Sequence, residues 1–260
     1  MGDSLGRKDV TMQTFYIDKK DVDHKRIVVR GDVCHHITRV LRMRVGESLR
    51  FSDNENYFYE GTITEINKDS VEVAVDDYYT IEDEPKLCVT LIQCLPRGDK
   101  MDQILQKATE LGVTKVIPVE SENSQVRLKN KAADKQDRWQ KIVNSAAEQC
   151  GRGRIPHVGL PCSLKEAISS LEEDCSILFC YEREENNSFR KTAEMLKAKT
   201  DKVALVIGPE GGFSEREADL IIETGGHSVT MGSRILRTET AGPTALAVLM
   251  YEYGEWEAAE

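Results

Sequence analysis

The chain has 260 residues, is 40% hydrophobic and 31% charged, and carries a formal net charge of −10. That length can bury a large core in one domain or two, and no run of 18 apolar residues suggests a membrane-spanning helix. The acidic balance argues against a protein that coats nucleic acid indiscriminately, but the charge is sorted: residues 21–50 hold seven Lys/Arg against four Asp/Glu, residues 52–84 one against eleven, and residues 124–141 six against two.

The opening MGDSLGRKDVTMQ has no apolar signal core. Residues 1–11 read as a flexible leader, with Met12 as the natural start. From residue 12 to 80 the chain is punctuated like a small β-barrel. TFYI (14–17), RIVV (26–29), SLRF (48–51), YFYEGTITEI (57–66) and VEVAV (71–75) are short, β-branched and aromatic, and are separated by turn signals. One helix is expected over 32–43, with Val33, Ile37, Val40 and Leu41 on one face and Arg39 and Arg42 elsewhere. The acidic, proline-bearing IEDEPK (81–86) reads as a linker.

From residue 87 onward strands and helices alternate. LCVTLIQCL (87–95) is a continuous apolar run of the kind found in a central parallel strand. A helix follows with apolar residues at 101, 104, 105, 108 and 111 and Gly112 at its end. VIPV (116–119), SILFCY (176–181), KVALVIG (202–208) and HSVTMG (227–232) read as further strands. DRWQKIVNSAAEQCG (137–151) and residues 242–253 read as helices. SLKE (163–166) and SERE (214–217) are capping boxes. This alternation over residues 87–260 predicts a mostly parallel sheet with helices on both faces. The seven cysteines form no Cys-x-x-Cys pair, which suits reduced thiols in a cytosolic protein, and no ligand pair has metal-site spacing.

Two stretches carry chemistry. LVIGPEGGFSERE (205–217) runs a strand into Gly208-Pro209-Glu210-Gly211-Gly212 and then a helix. Glycines allow positive φ and let a ligand approach the main chain, at the edge of an open sheet where ligands bind. The turn is neither the dinucleotide fingerprint nor a phosphate loop with its lysine, and Glu210 disfavours a bound polyphosphate. It suits a ligand without phosphates, such as a cation, although a merely tight turn fits the spacing equally well. MGSRILRTETAGPTAL (231–246) is a second glycine-bearing loop before a helix that Thr240 or Gly242 can cap. A capped helix start with solvated Arg234 and Arg237 accounts for it when taken alone.

Together the two loops resemble the uridine-N3-specific ribosomal RNA methyltransferases of the SPOUT class, which act on 16S rRNA. HHITRVLRMRVGE (35–47), LPRGDKMDQILQKATELGVTKVIPVESE (95–122) and RWQKIVNSAAEQCGRGRIPHV (138–158) extend the resemblance, in order, over nearly the whole chain from Met12. It implies an α/β fold with a SPOUT-type parallel sheet and a C-terminal trefoil knot, plus a small N-terminal PUA-like β-barrel that binds RNA. It implies a cytoplasmic homodimer that takes S-adenosyl-L-methionine as cofactor and 16S rRNA or the 30S subunit as partner. By resemblance, Gly208, Pro209, Glu210, Gly211 and Gly212 form one cofactor-binding loop. Met231, Gly232, Ile235, Leu236, Arg237 and Thr240 form the other, and Leu178 and Tyr181 close an earlier strand. Arg237 is expected to contact the carbonyl oxygens of the uracil anion or the adjacent phosphate, while Glu210 or Glu239 takes the proton or orients Arg237. Phe213 can stack on the base or belong to the core. Arg39, Arg42, Arg44, Arg97, Lys100, Arg127, Arg152 and Arg154 are expected to grip RNA. Thr14 and Asn123 stand where the family commonly has arginine. The competing readings are a SPOUT enzyme with another RNA target and a non-catalytic RNA-binding assembly factor.

Overall fold

The computed structural model describes residues 13–23, 25–82 and 84–257. The expected leader, Met12, and Asp83 of the expected linker lie outside these residues. The chain divides into two compact units, one of residues up to 84 together with 147–155, the other of 85–146 together with 156 onward.

In the first unit, strands β1 (Thr14–Tyr16), β2 (Val22–Asp23), β3 (Arg26–Arg30), β4 (Ser48–Ser52), β5 (Tyr57–Ile66) and β6 (Ser70–Thr80) form one sheet in the order β1-β4-β5-β6-β3-β2. Only the β1–β4 pair is parallel. Alternate residues point inward, so Phe15, Ile27, Val29, Phe51, Tyr59, Ile63, Val71 and Val73 form one apolar core. The helix expected over 32–43 is shorter. Helix α1 (Gly31–His35) passes into a π-turn at His36–Val40, and Arg42 then takes a left-handed φ of 56°. The wider turn, with Leu41 N–H donating to His36 O at 3.0 Å, rotates the next residues off the apolar face. Ile37 is therefore buried, whereas Val40 is 61% exposed and Leu41 39% exposed.

Residues 147–155, expected with the second domain, belong to this unit through polar anchors. Tyr16 Oη donates to Arg152 O at 2.6 Å, and Glu84 Oε1 accepts from Gly153 N–H at 2.9 Å and Arg154 N–H at 3.1 Å. Such contacts join residues far apart in the chain and leave no periodic trace in it.

In the second unit, β7 (Cys88–Cys94), β8 (Lys115–Val119), β9 (His157–Val158), β10 (Ser176–Cys180), β11 (Lys202–Ile207) and β12 (His227–Val229) form an all-parallel sheet in the order β12-β10-β11-β7-β8-β9. The central strands are apolar on both sides, as burial on both faces requires. Helices α4 (Leu164–Ser169) and α6 (Glu215–Glu223) pack on one face against Ile92, Ile117, Phe179 and Val206. Helices α2 (Lys100–Glu110) and α5 (Phe189–Lys197) each pack against α7 (Thr238–Tyr253), and α7 lies on β7 and β11. Helix α3 (Ala132–Cys150) begins five residues before its expected start at 137. Both expected capping boxes are present: Ser163 with Glu166, and Ser214 with Glu217.

Candidate active site

A cavity of about 450 Å³ opens at the C-terminal ends of β10, β11 and β12. Its floor is the turn that ends β11. Pairing stops at Ile207, and Gly208 to Gly212 reverse the chain, with Gly212 N–H donating to Pro209 O at 3.0 Å. Gly212 has φ 67°, and a Cβ there would fall inside the carboxylate of Glu182. Glycine is thus required twice over, by backbone conformation and by space. Phe213 follows, 2% exposed and edge-on to Phe179 with centroids 6.0 Å apart. It belongs to the core, so it is not free to stack on a base. The second wall is the stretch from Thr230 to Arg237 after β12, in which Gly232 has φ 93°. Cys180, Tyr181 and Glu182, just past β10, complete the lining.

A buried polar bolt ties the turn to α7. Gln93, fully buried on β7, donates through Nε2 to Thr238 Oγ1 at 2.9 Å, and Thr238 Oγ1 donates to Gly208 O at 2.8 Å. The cap expected at Thr240 or Gly242 is not used. Arg237 occupies the N-cap position with an extended ψ of 149° and makes no side-chain cap bond. Thr238 instead commits its hydroxyl to the turn. Asn123 clamps the same turn from the other side, its Nδ2 donating to Gly211 O at 3.3 Å and Gly212 O at 3.2 Å.

Glu210 points to α2. Its Oε1 accepts from Lys100 Nζ at 2.9 Å and from Arg97 N–H at 3.1 Å, and Lys100 also pairs with Glu239 Oε2 at 3.2 Å. Burial alone would raise the Glu210 pKa, but these donors overcome it and hold the carboxyl below its ordinary range. Lys100 is shifted upward by its hydrogen bonds to Glu210 and Glu239. Burial pushes the Cys180 thiol up to about 12, so the cavity presents it protonated.

The structure brings Tyr181, Gly208 to Gly212, Met231, Gly232, Ile235, Leu236 and Arg237 into one lining. It does not place Leu178 there: Leu178 is fully buried within β10, two residues before the cavity begins at Cys180. Thr240 is exposed and lies outside the lining, which α7 supplies through Thr238 and Ala241. Neither Glu210 nor Glu239 contacts Arg237, because Lys100 holds both. Arg237 is exposed and its guanidinium has no partner among the described residues.

The basic residues divide. Arg39, Arg42, Arg44 and Arg97 are exposed. Arg152 is not available to RNA as expected, because it is mostly buried in an ion pair with Glu84. Lys100 is held by two glutamates. Arg127 donates to the carbonyls of Ser124, Val126 and Glu122 and staples its own loop. Arg154 is exposed, with Nε on Glu55 O at 2.8 Å. Thr14 is fully buried and its Oγ1 accepts from Arg50 Nε at 2.9 Å, so position 14 is a core position in this chain.

The fold and cavity are those of known proteins. Residues 83–250 match the family described as RNA methyltransferase domain, and residues 29–76 the one described as RNA methyltransferase PUA domain. A crystal structure of a ribosomal RNA small subunit methyltransferase E from Neisseria gonorrhoeae, bound to S-adenosyl methionine, superposes with a TM-score of 0.84 at 32% identity. It covers 94% of this chain and 99% of that one. The ribosomal RNA small subunit methyltransferase E of Bacillus subtilis is 31% identical over 93% of this chain and 97% of its own length. That of Buchnera aphidicola from Schizaphis graminum is 34% identical over 85% and 88% respectively. This chain belongs to the RNA methyltransferase family of the ribosomal RNA small subunit methyltransferases E.

Proposed function

We propose that this protein transfers a methyl group from S-adenosyl-L-methionine to ring nitrogen 3 of a specific uridine in 16S rRNA of the small ribosomal subunit. The observation that carries the reading is the cavity at residues 208–212 and 231–237, inside a family whose relatives are named for rRNA methylation. The residues present fit that cofactor. The lining offers main-chain groups, apolar walls at Ile207, Leu236 and Ile235, and the carboxylate of Glu182, and it has no phosphate-cradling lysine. With Arg234 and Arg237 on the second loop, that set suits a nucleoside without phosphates that carries both a sulfonium and an amino-acid carboxylate. The trefoil knot expected of the family is part of the same reading.

When bound, S-adenosyl-L-methionine supplies a methyl carbon on a sulfonium. Nitrogen 3 of uracil is a poor nucleophile while protonated, so the protein has to place it in line with that carbon and stabilise the anion formed as the proton leaves. The free, exposed guanidinium of Arg237 at the cavity rim is suited to the carbonyl oxygens, over which the negative charge spreads. Glu210 is a weak base because its carboxyl is held ionised, and we assign it to positioning the turn through Lys100 and Arg97. The barrel of residues 12–80, joined through 81–86 to a methyltransferase domain from 87, would hold RNA with Arg39, Arg42 and Arg44. Arg97 would serve from the second unit. These are phosphate contacts, which position rather than specify.

A homodimer belongs to this reading. Helix α7 carries no charged residue from 240 to 251, and Thr240, Thr244 and Tyr251 on that stretch are exposed. That exposed face is uncharged although it carries hydroxyls, and in this reading a second copy covers it. A cytoplasmic location follows from a ribosomal substrate; among the described residues no helix is long and apolar enough to cross a membrane.

The test is methylation of purified 30S particles and of naked 16S rRNA, with the product base identified by mass spectrometry. The expected product is a single N3-methyluridine. A methyl group found on another base or on a ribose would overturn the assignment.

A further inference from the structure

We propose that Glu182 is the acceptor for the ribose 2′- and 3′-hydroxyls of the nucleoside cofactor; the inference rests on the cofactor reading above. Glu182 lies two residues beyond the end of β10, and β10 pairs in parallel with β11 so that Cys180 stands beside Ile207. The carboxylate therefore stands next to the glycine turn, and it occupies the space that a Cβ on Gly212 would need. It lines the cavity, and among the described residues it has no hydrogen bond or ion pair. Its neighbours differ in this respect: Arg183 is paired with Glu215, and Glu184 is held by Ser228, Asn186 and Asn187. Glu185, also without a bond among the described residues, lies outside the cavity lining, so Glu182 is the uncommitted acid past β10 that faces the ligand.

Two arguments select the ribose from among the donors of such a ligand. The two oxygens of a carboxylate match the two adjacent O–H groups of a vicinal diol, and dinucleotide-binding sheets use an acid for a ribose hydroxyl in this way, although this turn lacks their fingerprint. The competing donor is the α-ammonium of the methionine moiety, but that group is one carbon from a carboxylate. Seating it on Glu182 would bring two carboxylates together, while Arg234, on the other loop and without a partner among the described residues, offers that carboxylate a cation. The amino-acid end therefore belongs with Arg234, and the ribose with Glu182.

The experiment is calorimetry of S-adenosylhomocysteine, its 2′-deoxy and 3′-deoxy analogues and methylthioadenosine against wild type, E182A and the isosteric E182Q, with melting curves for each protein. E182A is expected to weaken S-adenosylhomocysteine about 10- to 100-fold, the range for losing a charged hydrogen-bond partner, with a smaller loss for E182Q. Methylthioadenosine, which keeps the ribose and lacks the amino acid, should suffer the same loss, and the deoxy analogues should bind wild type and E182A nearly alike. Equal binding of S-adenosylhomocysteine by wild type and E182A overturns the proposal. So does a loss that vanishes with methylthioadenosine, which would assign the ammonium, or one that persists in full with the deoxy analogues, which would mark a structural role. A wild type that binds none of these ligands overturns the cofactor reading itself, and the proposal with it.

Discussion

The turn at residues 208–212 and the loop at 231–237 each follow a parallel strand and each line the cavity, yet only the first is held. Gly208 is bonded to Thr238, Glu210 to Lys100 and Arg97, and Gly211 and Gly212 to Asn123. In the second loop, Gly232 N–H reaches Thr230 Oγ1 at 3.2 Å, while Ser233, Arg234, Ile235 and Arg237 are exposed and Ile235 is 80% so. A site with one fixed wall and one adaptable wall divides its labour. The fixed wall presets the shape offered to the ligand, which lowers the ordering cost of binding. The other wall leaves an apolar residue and two guanidiniums exposed at the cavity rim.

That contrast can be broken in four places, given from the largest expected effect to the smallest. Arg237→Ala removes a side chain that the fold does not use, so turnover should fall about 100- to 1,000-fold while the melting temperature stays unchanged. Methylation kinetics on 30S particles and calorimetric melting read the two quantities, and near-normal turnover would take Arg237 out of the mechanism. Gly212→Ala meets both the left-handed backbone and Glu182. It should cost about 1–3 kcal/mol of stability and most of the cofactor affinity, measured by denaturant unfolding and calorimetry.

Gln93→Leu cuts the bolt under the fixed wall. With Gln93 and Thr238 both buried, the loss should be about 1–3 kcal/mol, seen in urea unfolding, with cofactor binding weakened in parallel. Glu210→Gln should act least and through pH. A carboxyl held below its ordinary value contributes stability above its unfolded pKa, near 4.5, and loses it as the pH falls through the depressed folded value. Wild type should thus lose more stability than the variant on acidification below pH 4.5, as thermal melts across that range will show.

What sequence could reveal follows from how far apart the interacting groups are. The strands, the two capping boxes and the glycine turn are local patterns, and each is legible within a dozen residues. Val40 and Leu41 misled because helical spacing assumes an α-turn, and a π-turn intervenes at His36–Val40. Arg152 looked like a surface cation because nothing near it in the chain points to Glu84, 68 positions earlier. Gln93 and Thr238 are 145 positions apart, and Asn123 meets the turn across 88. Their side chains have ordinary identities in unremarkable strings, so only the folded chain reveals their joint role. A buried amide on a strand that is otherwise apolar, as at Gln93 in LCVTLIQCL, is the one signal that could have drawn attention to the bolt.

The hydrogen bond from Thr238 to Gly208 spans 30 positions, and this sets an order of events during synthesis. A nascent chain can complete β11 and its glycine turn well before the segment that begins α7 has left the ribosome. Until then the turn lacks the contact that fixes it, and the pocket has neither its second loop nor the start of its last helix. Ligand competence therefore arrives late in the life of the growing polypeptide, after the rest of the parallel sheet is already in place.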